Sequence, residues 1–541
     1  MPIAALVAVA ATALAFGQCA SLEARWFALA WIGLVPWLAA LDRARTVRAA
    51  AGLGLLMCVA FVLAVFSWFA VAITTYTDLA LPASFLLLAV IAPALQPQFI
   101  VFAVTRHLAR VWSQRAEVSS PSGQGLAIFH AARAAIGACF YVGTEWAFPK
   151  LLGDTLGHGF YASEWMRQAA DLGGAHGLTF ILVFANECSL GVLRAILSAG
   201  PPGTRARRAL QPAALVLGLA VALSAYGALR LWQIEGRPSA AVRVGVVQGN
   251  IGQYAKLAAD LGTYDATRKI LDTYFSMSSP VVENSSVDFL VWPETVYPTT
   301  FGSPKSEDGA AFDREIAAFV SAAAVPLVFG AYDREDGDEF NAAVFLSATP
   351  DGTASFETYR KVWLFPLIEL VPAVLEGPTI RRWLPWLGTW QRGPAAAVIG
   401  LDLASGRTLR VAPLLCYDAV VPNHAIAAVR RGAELIVTLS NDSWFAAGGG
   451  PRLHLVVSAF RSIETRRAQV RATNTGISAI ISATGEIEQQ FGNNERGVLV
   501  QAVPIHSATS LMLILGDWPG LAALVAGVVL SAVGRQRRGI G

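Results

Sequence analysis

Charge is scarce in this sequence. Only 15% of its 541 residues are Asp, Glu, Lys or Arg, against 55% hydrophobic, and the mean hydropathy is +0.50. A water-soluble chain of this length carries roughly a quarter charged residues, so part of this one is expected to lie in lipid. The net charge of +3 is too small to hold a nucleic acid, and the Arg residues are scattered in short stretches between apolar runs. No His/Cys cluster has ligand spacing, so neither a metal nor an organic cofactor is expected. Cysteine is also sparse, with five in all. Cys19, Cys58, Cys139 and Cys188 fall in or beside apolar runs, where a thiol packs as a small hydrophobe. Cys416 stands alone in the more polar part of the chain, with no partner there to lock it in a disulfide. Met1-Pro2-Ile3 lacks the Lys or Arg of a signal peptide, and Gln18 precedes Cys19 where a lipobox has a small residue. The first apolar run is therefore read as an uncleaved span.

A membrane-crossing helix needs about 20 mainly apolar residues. Such runs are read at roughly 3–18, 26–41, 50–72, 81–104, 126–148, 174–197, 213–232 and 510–533. Arg43, Arg45 and Arg48 follow the second run; Arg106, Arg110 and Arg115 follow the fourth. Arg194, Arg205, Arg207 and Arg208 follow the sixth; Arg535, Arg537 and Arg538 follow the last. All four clusters share one side, which the positive-inside rule makes cytoplasmic, so the segment between the seventh and eighth runs is expected outside. Glu145, near a span end, is read as interfacial, and Glu187 is notable as a charge within a span. The loop 148–177, with His158, Tyr161, Trp165 and His176, is longer than a turn needs, whereas 116–123 reads as a polar linker.

Beyond Trp232 the pattern changes to short strands alternating with helices: Val242–Asn250, a helix at Asp260–Ser276, then FLVWPE, PLVFGAYD, AAVFLSAT and ELIVTLSND. Such alternation predicts a layered α/β domain. Three side chains stand out there, each beside an apolar, aromatic or Pro-rich run. Glu294 follows the strand FLVWP, Lys361 lies in TYRKVWLFP, and Cys416 ends the strand VAPLLC before Tyr417-Asp418 breaks it.

The order Glu, Lys, Cys, with WPE at the first, resembles the nitrilase superfamily of carbon–nitrogen hydrolases from about Val242 to Pro504. The chemistry explains the trio. A thiol with a pKa near ~8.5 must lose its proton to attack a carbonyl, and Glu294 within hydrogen-bond reach would take it. Lys361 would stabilise the oxyanion, and the product would be a thioester on Cys416. Glu369, eight residues after Lys361, would orient that lysine or support the base. The strings AWIGLVPWLAAL and QAADLGGAHGLTFILVFAN, with the span count, extend the likeness to the apolipoprotein N-acyltransferases, the membrane branch of that superfamily.

The resemblance implies a polytopic α-helical membrane domain at 1–234, a nitrilase-like αββα sandwich at 235–506 on the periplasmic side, and a last helix with a basic tail at 507–541. It implies a monomer in the bacterial inner membrane, with membrane phospholipid as acyl donor and a diacylated apolipoprotein as acceptor. The alternative is a membrane-tethered amidase with water as acceptor. By the same likeness Tyr417 supports the nucleophile, Trp444 and Phe445 line an acyl pocket, and Gly448–Gly450 let their loop move. In EGPTIRRWLPWLGTWQRGP, Trp383, Trp386 and Trp390 beside Arg381, Arg382 and Arg392 suit a lipid boundary. Asn474-Thr475-Gly476 and Thr484-Gly485 are expected turns of a closing strand pair. The sequence departs from the family pattern at Trp363, Leu367-Ile368 and Asp418, and has no Trp near Leu257.

Overall fold

The fold is that of a computed structural model, which describes residues 2–77, 79–119, 123–148, 150–235, 240–252, 254–284, 287–349, 351–366, 368–371, 377–383, 388–445 and 448–536. Leu367, Trp386, Arg537, Arg538, the side chain of Trp383 and the centre of the 116–123 linker lie outside them. Two compact units emerge: 1–233 with 445–456 and 517–541, and 234–444 with 457–516.

Among its described residues the second unit contains twelve strands. They are β1 Ala241–Gln248, β2 Phe289–Val291, β3 Leu327–Glu335, β4 Asp338–Ala348, β5 Ala354–Arg360 and β6 Ile399–Asp402. The rest are β7 Thr408–Leu415, β8 Leu435–Ser440, β9 Gln469–Thr473, β10 Ala479–Ile481, β11 Ile487–Gln490 and β12 Gly497–Pro504. They form two six-stranded sheets, β12-β1-β2-β3-β4-β5 and β11-β10-β9-β8-β7-β6. Each has a parallel central trio, β1-β2-β3 or β7-β8-β9, and antiparallel flanks.

Strand side chains alternate, so the apolar positions sort into layers. Val242, Val244 and Val246 of β1 share one core with Val411 and Leu415 of β7 and Leu435, Val437 and Leu439 of β8, which packs the sheets face to face. The opposite face of the first sheet buries Leu290 and Trp292 under the helices Thr263–Asn284 and Glu307–Ala323, through Ile270, Tyr274, Phe312 and Ile316. Ala412 and Leu414 pack beneath Pro422–Arg430 through Ala425, Ala428 and Val429. The result is the αββα sandwich. Parallel strands covered on both faces need near-continuous apolar runs, as in LIVTLS of β8, buried throughout.

The first unit is helical and apolar outside. Leu217, Val221 and Trp232 on Pro202–Glu235, and Val525 on Trp518–Gln536, are all exposed, the inverse of a water-soluble surface. Among the described residues four helices are long and apolar enough to cross a membrane, at 24–42, 47–65, 166–197 and 202–234; a fifth counts if 81–95 and 98–111 form one bent span. The helices at 3–19 and 518–533 are apolar but shorter.

Several of the eight runs read from hydropathy are thus interrupted. The 81–104 run bends by 49°, where Pro93 and Pro97 cannot donate backbone hydrogen bonds. The 50–72 run breaks at Phe66, whose φ of −113° and ψ of 21° leave helical geometry. Gly516, at φ 77°, parts Leu511–Leu515 from Trp518–Gln536. The expected helix at 260–276 is two helices, 254–261 and 263–284. Glu145 is buried within the helical unit, with Lys150 at 3.6 Å. Buried Glu187 is neutralised by Arg106, which also reaches Asp42 at 3.0 Å.

Candidate active site

The site lies where strand ends of both sheets meet, and each functional side chain is delivered by a local device. Cys416 follows the last residue of β7 and starts the 3-10 turn Cys416–Val420. Its φ of 45° is left-handed, a conformation that non-glycine residues adopt at a cost and that recurs at functional sites. Glu294 follows β2 across Pro293, and Thr295 beside it is also left-handed at 61°. β3 passes so close that a Cβ on Gly330 would stand 2.5 Å from the Glu294 Cα; only glycine permits that approach. Lys361 leaves β5, its backbone N–H donating to the Asn341 carbonyl of β4 at 2.8 Å.

These devices bring the predicted charges together. Lys361 Nζ donates to Glu294 Oε1 at 3.2 Å and to Glu369 Oε1 at 2.8 Å. Glu294 Oε2 accepts the backbone N–H of Asn441 at 2.8 Å, and Glu369 Oε2 that of Phe365 at 2.7 Å. Glu294, Lys361 and Cys416 are all buried.

Burial in low dielectric dominates the electrostatics. It pushes the Cys416 thiol well above the ordinary cysteine range; Glu294 adds to the rise and Lys361 opposes it. Burial alone would push the Lys361 ammonium down, but Glu294 and Glu369 outweigh it and hold the group firmly protonated. The resting site is thus a neutral thiol beside an ammonium clasped by two carboxylates. Such an arrangement supports nucleophilic attack only when a base removes the thiol proton during the reaction, and Glu294 is the carboxylate most strongly coupled to that thiol.

Two functional side chains escaped the sequence reading. Asn341 Nδ2 donates to Glu294 Oε1 at 2.8 Å and to Glu369 Oε1 at 3.1 Å, bridging both carboxylates. Its signal was present: an Asn in the otherwise apolar FNAAVF must find partners when buried. Asp418, noted only as a departure, is a buried fastener. Its carboxylate accepts from Leu415 N at 3.0 Å, Trp363 N at 2.8 Å and Tyr359 Oη at 2.8 Å. It thereby ties the turn bearing Cys416 to the strand exit bearing Lys361.

The aromatic residues divide. Tyr417 packs edge-on against Phe365 at 5.2 Å, and half-buried Trp444 meets the same ring at 4.8 Å. Phe445 belongs to the helical unit, fully buried against Trp68 and His454. Gly448 and Gly450 of its loop also pack close to Trp68. Trp390 rests on Tyr332 of its own domain at 4.6 Å. The turn expected at Thr484-Gly485 is present, with Gly485 at φ 75°.

Comparison with known proteins agrees with both halves of the chain. Residues 243–512 match the carbon-nitrogen hydrolase family, and residues 8–188 match the apolipoprotein N-acyltransferase N-terminal domain. The apolipoprotein N-acyltransferase of Geobacter metallireducens is 29% identical over 521 residues, 95% of this chain and 92% of the relative. That of Pseudomonas aeruginosa is 33% identical over 337 residues, 60% of this chain and 61% of the relative. Among solved structures, an amidase from Nesterenkonia sp. is 18% identical, covering 50% of this chain and 92% of that one at a TM-score of 0.35. The chain belongs to the apolipoprotein N-acyltransferase family, the branch of the carbon–nitrogen hydrolases joined to a helical membrane region.

Proposed function

We propose that the protein transfers a fatty acyl chain from a membrane glycerophospholipid, through a thioester on Cys416, to the α-amino group of a diacylglyceryl-cysteine apolipoprotein. Glu294 takes the Sγ proton as sulfur attacks the ester carbonyl carbon. The carbonyl oxygen becomes an oxyanion that the Lys361 ammonium stabilises. The tetrahedral adduct expels the lysophospholipid oxygen, which receives the proton held by Glu294. The lipoprotein amine then attacks the thioester, giving its proton to Glu294, and the amide forms as Cys416 leaves and is reprotonated. Glu369 and Asn341 position Lys361 and Glu294, while Tyr417 and Trp444 serve the lipid chain.

The observation that carries this reading is the Lys361 ammonium held between Glu294 and Glu369 and coupled to a buried thiol. The apolar exterior of the helical unit supports a lipid substrate presented from the bilayer of the bacterial inner membrane. The four same-side Arg clusters support a periplasmic side for the sandwich, whose domain limits we read as 235–506. Purified protein incubated with labelled phospholipid and a diacylated lipopeptide should move label into the peptide as an amide. Release of free acid at one rate with and without peptide would instead identify a hydrolase.

A further inference from the structure

His424 is a buried titratable side chain of the sandwich that the acyl-transfer chemistry leaves unused. It stands in the first turn of the helix Pro422–Arg430, 5% exposed, with its Nε2 2.8 Å from the Tyr359 hydroxyl of β5. That hydroxyl in turn reaches Asp418 Oδ2 at 2.8 Å. All three side chains are buried within one compact unit.

Counting protons gives this chain a direction. Among the described residues four donors converge on the Asp418 carboxylate: Leu415 N and Tyr359 Oη on Oδ2, Trp363 N and Val362 N on Oδ1. A phenol has one proton, and Tyr359 spends it on Asp418, so toward His424 the same oxygen can only accept. Nε2 must therefore carry the imidazole proton. Burial pushes this imidazole below its ordinary range; Asp418 opposes the fall and Arg431 adds to it, so near pH 7 the ring is neutral with one N–H to give. Bonds in such a chain polarise one another, and a donor behind the phenol strengthens the phenol's own bond to the carboxylate. Asp418 ties the turn bearing Cys416 to the strand exit bearing Lys361. A donor that feeds Asp418 thus bears on the spacing of thiol and ammonium.

We propose that His424 is a positioning residue for the acyl transfer: its Nε2–H donates to Tyr359, Tyr359 donates to Asp418, and this relay holds Cys416 and Lys361 at their working separation. The inference rests on the reading of Cys416 as the acyl carrier. The relay requires one N–H at one place, which makes it separable from mere space filling. Glutamine can offer an amide N–H where Nε2 lies. Asparagine, a methylene shorter, reaches only to the place of Nδ1, and leucine fills the volume without a donor.

The test compares His424→Gln, His424→Asn and His424→Leu in the full chain, reconstituted in vesicles of phosphatidylethanolamine and phosphatidylglycerol. Acyl-adduct formation on Cys416, followed by mass, should slow at least about tenfold in His424→Leu, toward the ~10²-fold that a 1 Å misplacement can cost. His424→Asn should fall with it, while His424→Gln, which keeps the donor in place, should stay within about threefold of the parent. In steady-state transfer to a diacylated lipopeptide the loss should appear in kcat and leave KM for phospholipid nearly unchanged. Tyr359→Phe cuts the relay, so adding His424→Leu to it should cost little more. The same variants are then alkylated with iodoacetamide at pH 8 and the Cys416 peptide is weighed. Burial holds this thiol's pKa up, so a loosened turn should make the Leu and Asn variants react faster than the parent, with the Gln variant matching it. Equal behaviour of the Gln and Asn variants in both assays, parent-like behaviour of all three, or an undiminished cost of His424→Leu on top of Tyr359→Phe overturns the proposal. Should the Leu variant fail to fold, the two amides decide. If the parent gains no acyl mass, the acyl-transfer reading fails instead, and the alkylation comparison still decides the role of His424.

Discussion

Asn341 and Glu294 are joined by a 2.8 Å hydrogen bond inside the sandwich, and the same amide reaches Glu369. Two carboxylates around one ammonium repel each other, and a neutral donor shared between them offsets part of that repulsion. Asn341→Leu should therefore slow acyl-adduct formation on Cys416 by roughly 10- to 100-fold, because Glu294 is no longer aimed. Asn341→Asp, which adds a third negative charge, should be slower still. Adduct mass against time measures both. A rate within twofold of the parent in Asn341→Leu would show that Lys361 alone sets the geometry.

The three principal residues act on one transition state. Protein given phospholipid without an amine acceptor should gain the mass of one acyl chain, removable by hydroxylamine, and Cys416→Ala should gain none. Glu294→Gln and Lys361→Met should each slow the gain at least ~10²-fold. Their combination should cost far less than the product of the single effects. A parent-like adduct in Cys416→Ala would end the mechanism.

Thiol reactivity separates electrostatics from catalysis. Burial and Glu294 raise the pKa of Cys416, so the thiolate fraction at pH 8 is well below that of an exposed cysteine. Alkylation by iodoacetamide should stay slow and keep rising with pH beyond the range where ordinary cysteines level off. Removing a neighbouring negative charge lowers that pKa, so Glu294→Gln should alkylate faster at pH 8 while acylating more slowly. Lys361→Met removes the opposing cation and should alkylate more slowly. If both variants shift alkylation in the same direction, these charges do not govern the thiol.

Topology has its own test. Ser303 lies on the exposed surface of the sandwich, next to Gly302 at φ 78°. A Ser303→Cys protein in cells opened only at the outer layer should react with a thiol reagent that cannot cross the inner membrane. Labelling only after full lysis would put the sandwich on the cytoplasmic side.

The sequence disclosed those parts of the site that depend on local context. Glu294, Lys361 and Cys416 each adjoin an apolar run, and a charge or thiol so placed is conspicuous against its neighbours. Asn341 was missed because its role arises from pairing β4 with β5, a register no single stretch of text contains. Asp418 was visible only as a mismatch; its partners Tyr359 and Trp363 lie more than fifty residues away. The α/β character was legible from alternation, but the order of twelve strands in two sheets was not, since non-local pairing decides it. Hydropathy found the apolar helices and overran their breaks, because it averages across Pro93, Pro97 and Gly516, where backbone rather than lipid affinity governs. Composition suits Trp390 to a lipid boundary, but no single stretch of text shows that its half-buried ring packs on Tyr332.

The left-handed backbone at Cys416 sets chemistry against folding at a single position. A side chain held there costs about 1–3 kcal/mol, a strain that glycine escapes. Of two inactive proteins, Cys416→Gly should therefore unfold at a higher temperature than Cys416→Ala, and selection for robustness alone would drift toward glycine. Cysteine persists at this turn only as long as its sulfur is used, so the residue at position 416 distinguishes a working enzyme from a relic that has kept the fold.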